Sequence, residues 1–280
     1  MEEILEKLKK YFAGRDDVPM AFLFGSQAKS LARSESDIDI AIYLKTQSDE
    51  MDFESDSRFE NEDKIWLDLE KLLGNKVDLV ILNRAPAGVA FAAMNSGKEI
   101  CVKDPNIRTK FILLASTVAE EMRDFARDFL AIKARSASLN ETDRARLLRL
   151  VDFLEGELAD YKKFTELDQL EYQNNKGHKR ELERWAENII NSSIDIAKIM
   201  VGSEKKDLPE TYRLTLANLA LLKGFEKEKA ETLAGFAKIR NILAHEYLDI
   251  RFSNLKRFAG SSEIDYRYLV TFAKKFAVEK

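Results

Sequence analysis

Apolar and polar positions switch repeatedly between helical and strand period over the first hundred residues and keep the helical period after that. Residues 2–13 place Ile4, Leu5, Leu8 and Phe12 at helical spacing, which predicts an amphipathic helix. A turn at Asp16–Pro19 leads into the apolar run Met20–Phe24, read as a strand, and then a helical turn over Ser26–Ala32. The next stretch alternates strictly. Ile38, Ile40, Ile42 and Leu44 take one face of a strand, and Asp37 and Asp39 take the other. Residues 46–57 are polar and acidic, an expected exposed loop. Residues 58–73 predict a helix with Ile65, Trp66, Leu69, Leu72 and Leu73 inward, closed by Gly74-Asn75. The short run Lys76–Leu82 predicts a strand with Asp78 near its start.

Beyond Asp104-Pro105-Asn106 the period is helical almost throughout. Pro105 suits the opening of a helix. Helices are expected over 106–134, 141–167, 179–201, 209–223, 227–247 and 262–278, with a polar break at 168–178. Long amphipathic helices with short connections predict a bundle. The fold class expected is α+β: a small mixed sheet with helices, then an all-α half. The expected division is a first domain at 1–104, a connecting helix at 105–139 and a helical bundle at 140–280.

Composition narrows the class further. The 280 residues are 45% hydrophobic and 34% charged, which fits a globular chain with enough apolar side chains for a core. No apolar run approaches a membrane span, and MEEILEKLKKYF lacks the apolar core of a signal peptide. A single cysteine, Cys101, excludes an intramolecular disulfide and a cysteine-based zinc site. A cytoplasmic location is expected, with no membrane partner. Residues 1–103 hold 14 Lys+Arg against 20 Asp+Glu, while the rest hold 31 against 29. The second half therefore tolerates RNA without its charge demanding it.

The first candidate site lies in MAFLFGSQAKSLARSESDIDIAIYL, residues 20–44. Two carboxylates two apart on a strand converge and repel, and a divalent cation relieves this: Mg²⁺ takes carboxylate oxygens and leaves positions for substrate phosphates. Gly25 permits close backbone approach to an anion. Ser26 offers a backbone N–H and a hydroxyl at the start of a helix, where phosphate is favoured. A bare Asp-x-Asp is more often two solvent-facing residues of an amphipathic strand. Gly-Ser ten residues upstream, after an apolar strand, changes that weighting. The pattern resembles the minimal nucleotidyltransferase branch of the DNA polymerase β superfamily. Lys29-Ser30 stands where that branch has an Arg-Gly-type turn. The resemblance implies a third carboxylate from a later strand, which matches Asp78 as metal ligand or base. It also implies a closing helix and small strand over Pro86–Cys101, and ATP as substrate.

The second candidate closes the fifth long helix: Arg240-Asn241-Ile242-Leu243-Ala244-His245-Glu246-Tyr247. Arg240 and His245 are five apart, about 140° on an ideal helix, so they do not share a face, whereas Asn241 and His245 do. His moves protons near neutral pH and Arg stabilises a phosphorane, a set suited to RNA cleavage without metal. The plainer reading is Arg and His meeting the last carbonyls of a helix. His178, beside Gly177, reads as a surface residue. Arg-x4-His here resembles the HEPN domain, as do Asp195-Ile196-Ala197 and Leu208–Tyr212 upstream, over about residues 140–260. In that family's toxin–antitoxin branch the motif continues to Arg-x4-His-x-Tyr, as here with Tyr247. There the HEPN partner is an RNase, silenced when the transferase partner adds AMP to the tyrosine.

These resemblances imply a transferase fused to a HEPN domain. On these resemblances Asp37, Asp39 and Asp78 are expected to hold Mg²⁺ and catalyse, Gly25 and Ser26 to bind nucleotide, and Tyr247 to be the acceptor. Arg240 and His245, supported by Asn241, are expected to cleave RNA, with a homodimer expected through the helical half. Two alternatives stay open: a transferase acting on a small molecule such as an aminoglycoside, and a helical half serving only as a dimerisation or nucleotide-binding module.

Overall fold

In the computed structural model, which describes residues 2–25, 37–46, 51–135, 138–244 and 251–280, strands and helices divide between two units, 1–121 and 122–280. In the first unit, among the described residues, four strands form one sheet. β1 (Met20–Phe24), β2 (Ile38–Tyr43), β3 (Val77–Ile81) and β4 (Lys98–Val102) stand in the order β3-β2-β1-β4. β1 is antiparallel to β2 and β4, and β2 is parallel to β3. The sheet is therefore mixed, as expected.

The alternation of β2 decides what each face does. Ile38, Ile40 and Ile42 pack with Val77 and Ile81 of β3 against Leu8 and Phe12 of α1 (Glu2–Ala13) and Ile65 and Leu69 of α2 (Glu62–Leu73). Each fully buried aliphatic of this kind contributes about 1.5–3 kcal/mol. Gly74 closes α2 with φ 63°, its N–H donating to Glu70 O at 2.8 Å, the expected left-handed cap. The opposite face of β2 carries Asp39, Ala41 and Tyr43. Tyr43 meets the ring of Phe111, near the start of α4 (Pro105–Arg135), edge to face at 5.2 Å. α3 (Ala87–Ser96) packs on β1 and precedes β4, the helix-then-strand order implied for this segment.

Two expectations in this unit are corrected. Trp66 is 41% exposed rather than in the core, because its indole N–H donates to Val77 O at 2.9 Å on the sheet edge. The acidic stretch is not all exposed loop: Phe53 and Glu54 are 3% and 4% exposed. Phe53 packs on Phe111 at 5.4 Å. Glu54 Oε1 accepts the Ala87 N–H at 3.1 Å, a carboxylate against the positive end of α3.

α4 runs on into the second unit, which is helical. α5 (Glu141–Leu158), α6 (Tyr161–Glu166) and α7 (Gln169–Asn174) lead to α8 (Lys176–Ser203). α8 is the centre, packing against α5, α9 (Tyr212–Ala217), α10 (Lys227–Leu243), α11 (Phe252–Ser261) and α12 (Glu263–Glu279). The helix expected over 141–167 divides after Leu158. Carbonyls there take side-chain donors instead: Trp185 Nε1 on Glu157 O at 2.8 Å and Arg267 on Leu158 O at 3.3 Å. The polar stretch at 168–178 is not a break but a pair of helix starts. Asp168 accepts the Glu171 N–H, and Asn175 accepts those of Gly177 and His178. The expected helix at 209–223 is α9 followed by a 3₁₀ turn, Asn218–Leu221, with Thr211 as its cap. α11 was not expected. α10 ends at Leu243 with Ala244 as cap.

Candidate functional site

Parallel pairing of β2 and β3 sets Ile38 opposite Val77 and Asp39 opposite Asp78. Residues in register share a face, so Asp39 and Asp78 stand side by side on the face turned away from the α1/α2 core. Asp37 precedes β2 by one residue and shares that parity; it is exposed, as is Asp78, while Asp39 is half-buried. The three do not meet as a compact cluster. Among the described residues, no group of three or more His, Cys, Asp or Glu is disposed to hold a metal ion. The register brings together one pair, Asp39 and Asp78.

Gly25 forms the wall beside this pair. It follows Phe24, which pairs with Asp39 across β1/β2. Its φ is +71°, and a Cβ built on it would lie 1.9 Å from Asp39 Oδ2 and 2.6 Å from Asp39 Cγ. Only a residue without Cβ leaves the Asp39 carboxylate where it is. The donor set is all oxygen and anionic, the ligand chemistry of Mg²⁺ rather than of a softer metal, and the cradle at Gly25 is shaped to Asp39. The chain's residues fit such an ion. Ser26, His245 and Tyr247 lie outside the described residues.

In the helical unit, Arg240 is buried on α10 at 9% exposure, and Asn241 beside it at 2%. Arg240 reaches α8, where its Nε donates to Asn191 Oδ1 at 3.0 Å. Its guanidinium carbon lies 4.5 Å from the centre of the Tyr212 ring. Tyr212 opens α9 and meets Phe125 of α4 edge-on at 5.8 Å. Lys198 Nζ lies 5.1 Å from the centre of the Phe125 ring, and bridges Asp128 at 3.0 Å and Asp195 at 2.8 Å. Hydrogen bonds from Arg146, then from Lys198, bring the Asp128 carboxyl down to about 2. Sequence reading singled out Arg240 and Asn241 but not Asn191, whose contact spans 49 residues. Tyr212 stood only inside a matching segment, with no role.

A small mixed sheet presenting paired carboxylates, followed by a helical bundle holding a buried arginine, defines a two-part α+β chain. Residues 6–106 match the family model "Polymerase beta, Nucleotidyltransferase", and residues 154–267 match "Ribonuclease HepT-like". The chain thus carries a polymerase-β-type nucleotidyltransferase domain followed by a HepT-like, HEPN-type domain. Among solved structures, one described as a toxin–antitoxin with AMP-PNP shares 19% identity, covering 45% of this chain and 95% of its own, at a TM-score of 0.37. That likeness is too slight to bear on site or fold. No curated protein matches the chain. Among the described residues no helix is long and apolar enough to cross a membrane.

Proposed function

We propose that the chain is a nucleotidyltransferase that transfers AMP from ATP to Tyr247 of its own HepT-like half, and that this half is an RNase which the transfer silences. The observation that supports the transferase part most is the in-register pair Asp39 and Asp78 with Gly25 against Asp39. Asp39 and Asp78, with Asp37 one residue ahead of β2 as the third carboxylate in the set, would hold Mg²⁺ drawn in with the nucleotide, which when bound supplies positive charge at the nucleotide phosphates. The chain's own groups do the rest. The Gly25 backbone and Ser26 bind and orient the β- and γ-phosphates. The Tyr247 oxygen attacks the α-phosphorus, the bond to the β-phosphate oxygen breaks, and pyrophosphate leaves. The phenolic proton passes to a carboxylate of the set.

In the RNase part, Arg240 stabilises the phosphorane, and His245 moves the proton between the attacking 2′-hydroxyl and the leaving 5′-oxygen. Asn241 supports His245 in this role. A homodimer through the helical half would bring Arg240 and His245 from two chains to one site. The protein is expected to act in the cytoplasm. Incubation with ATP and Mg²⁺ should add AMP to the wild-type protein and none to the Asp37→Ala, Asp39→Ala protein. Equal loading of both would remove the carboxylates from the mechanism.

A further inference from the structure

The helical unit holds its one proposed phosphate-stabilising cation in an uncommon way. Arg240 is buried, and burial of a guanidinium is costly unless its environment replaces lost water. Two groups from two other helices do so. Asn191 of α8 takes the Nε–H at 3.0 Å. The Tyr212 ring of α9 lies against the guanidinium, with the guanidinium carbon 4.5 Å from the ring centre. The hydrogen bond at Nε fixes the direction of the side chain. The ring fixes the tilt of the guanidinium. Both contacts act on where its terminal N–H groups point.

Tyr212 is itself held firmly. Thr211 Oγ1 accepts the Leu214 N–H at 3.0 Å and so fixes the first turn of α9. The Tyr212 ring is 6% exposed and rests edge-on against Phe125, which stacks on Phe129 at 6.3 Å and takes Lys198 at 5.1 Å. The cradle under Arg240 therefore stands on a packed aromatic row rather than on a mobile side chain.

We propose that Tyr212 and Asn191 are positioning residues for Arg240: Tyr212 sets the tilt of the guanidinium by stacking, Asn191 its direction by accepting Nε–H, and neither touches substrate. The inference rests on the RNase reading above. It makes the aromatic face, not the phenol hydroxyl, the working part of Tyr212. Stacking of this kind and misplacement of a catalytic group predict about a tenfold loss in turnover.

The test uses full-length protein in the Asp37→Ala, Asp39→Ala background, which keeps Tyr247 unmodified, with single-stranded RNA oligonucleotides as probe. Tyr212→Leu and Asn191→Ala should each lower kcat about tenfold with KM within about twofold, while Tyr212→Phe should retain parent kcat. In parallel, the Nε–H signal of Arg240 in ¹⁵N NMR, assigned by its loss in Arg240→Lys, should be resolved in the parent and Tyr212→Phe. It should broaden or shift in Tyr212→Leu and Asn191→Ala. That readout does not depend on RNA cleavage. A Tyr212→Phe protein as slow as Tyr212→Leu would overturn the stacking role. Unchanged kcat in Tyr212→Leu and Asn191→Ala, with the Arg240 signal altered, would overturn positioning. No cleavage by any form, with the Arg240 signal responding as expected, would show that the RNase reading has failed and the catalytic part of this assignment with it. Should Tyr212→Leu fail to fold, Asn191→Ala, whose side chain is half-buried, and Tyr212→Phe carry the decision.

Discussion

Replacing Gly25 by alanine isolates the close approach at the carboxylate pair. The added Cβ would stand 1.9 Å from Asp39 Oδ2, and ordinary contact begins at 3.4 Å, so the carboxylate must retreat by 1.5 Å, the difference. A displacement near 1 Å in a catalytic group costs about 10²-fold in rate. The left-handed backbone at φ +71° adds a stability cost of about 1–2 kcal/mol for any residue with a Cβ. These two effects separate with a second substitution. Gly74 has φ +63° and nothing within 4 Å of a built Cβ, so Gly74→Ala carries the backbone cost alone. AMP transfer measured by intact mass over time, beside thermal unfolding, should show both variants destabilised alike. Only Gly25→Ala should lose transfer, by about 100-fold. Equal transfer rates in the two would refute the claim that Gly25 exists to make room for Asp39.

Other consequences follow from packing and charge. Phe111 is fully buried and meets the rings of Tyr43 and Phe53; Phe111→Ala should cost about 3–5 kcal/mol in denaturant unfolding of the first unit. Asp143 is 1% exposed and accepts Arg135 at 2.6 and 2.9 Å and Asn140 at 3.0 Å. Asp143→Ala should cost about 2–3 kcal/mol in the helical unit, the lower end for a buried pair since Arg135 can return to water. Asp128 is held down to about 2, first by Arg146 and then by Lys198. A depressed carboxyl contributes stability above its unfolded value near 4 and loses it as pH falls through its folded value. Helical-unit stability should thus drop between about pH 4 and pH 2, and Asp128→Asn should flatten the profile in that window.

Local period carried much of the architecture. The alternation of Ile38, Ile40 and Ile42 against Asp37 and Asp39 announced both the strand and its buried face, and the structure packs those isoleucines in the core. The change to helical period beyond Asp104 foretold the bundle, and Gly74 foretold the end of α2. Pairing was not legible. Nothing local to Asp78 says that β3 runs parallel to β2 in the register that sets it beside Asp39, since strand partners are chosen by long-range packing. Polar stretches also misled. The residues at 168–178 read as a break because N-caps and loops share Asp and Asn. The acidic loop read as exposed because Glu54's helix partner, Ala87, is 33 residues away. Trp66 followed the apolar stripe of its helix, yet its indole N–H is drawn to the sheet edge. For the same reason Arg240 was identifiable from its motif, whereas Asn191 was not.

The central claim joins the two halves in one mechanism, and one measurement tests it most directly. Purified full-length protein, freed of any adduct beforehand, is incubated with ATP and Mg²⁺, weighed intact and mapped by peptide mass spectrometry. RNA cleavage is assayed before and after. The expected result is one or more AMP units on the peptide holding Tyr247, with cleavage lost in step with loading. AMP on an added small molecule with none on the protein would contradict it.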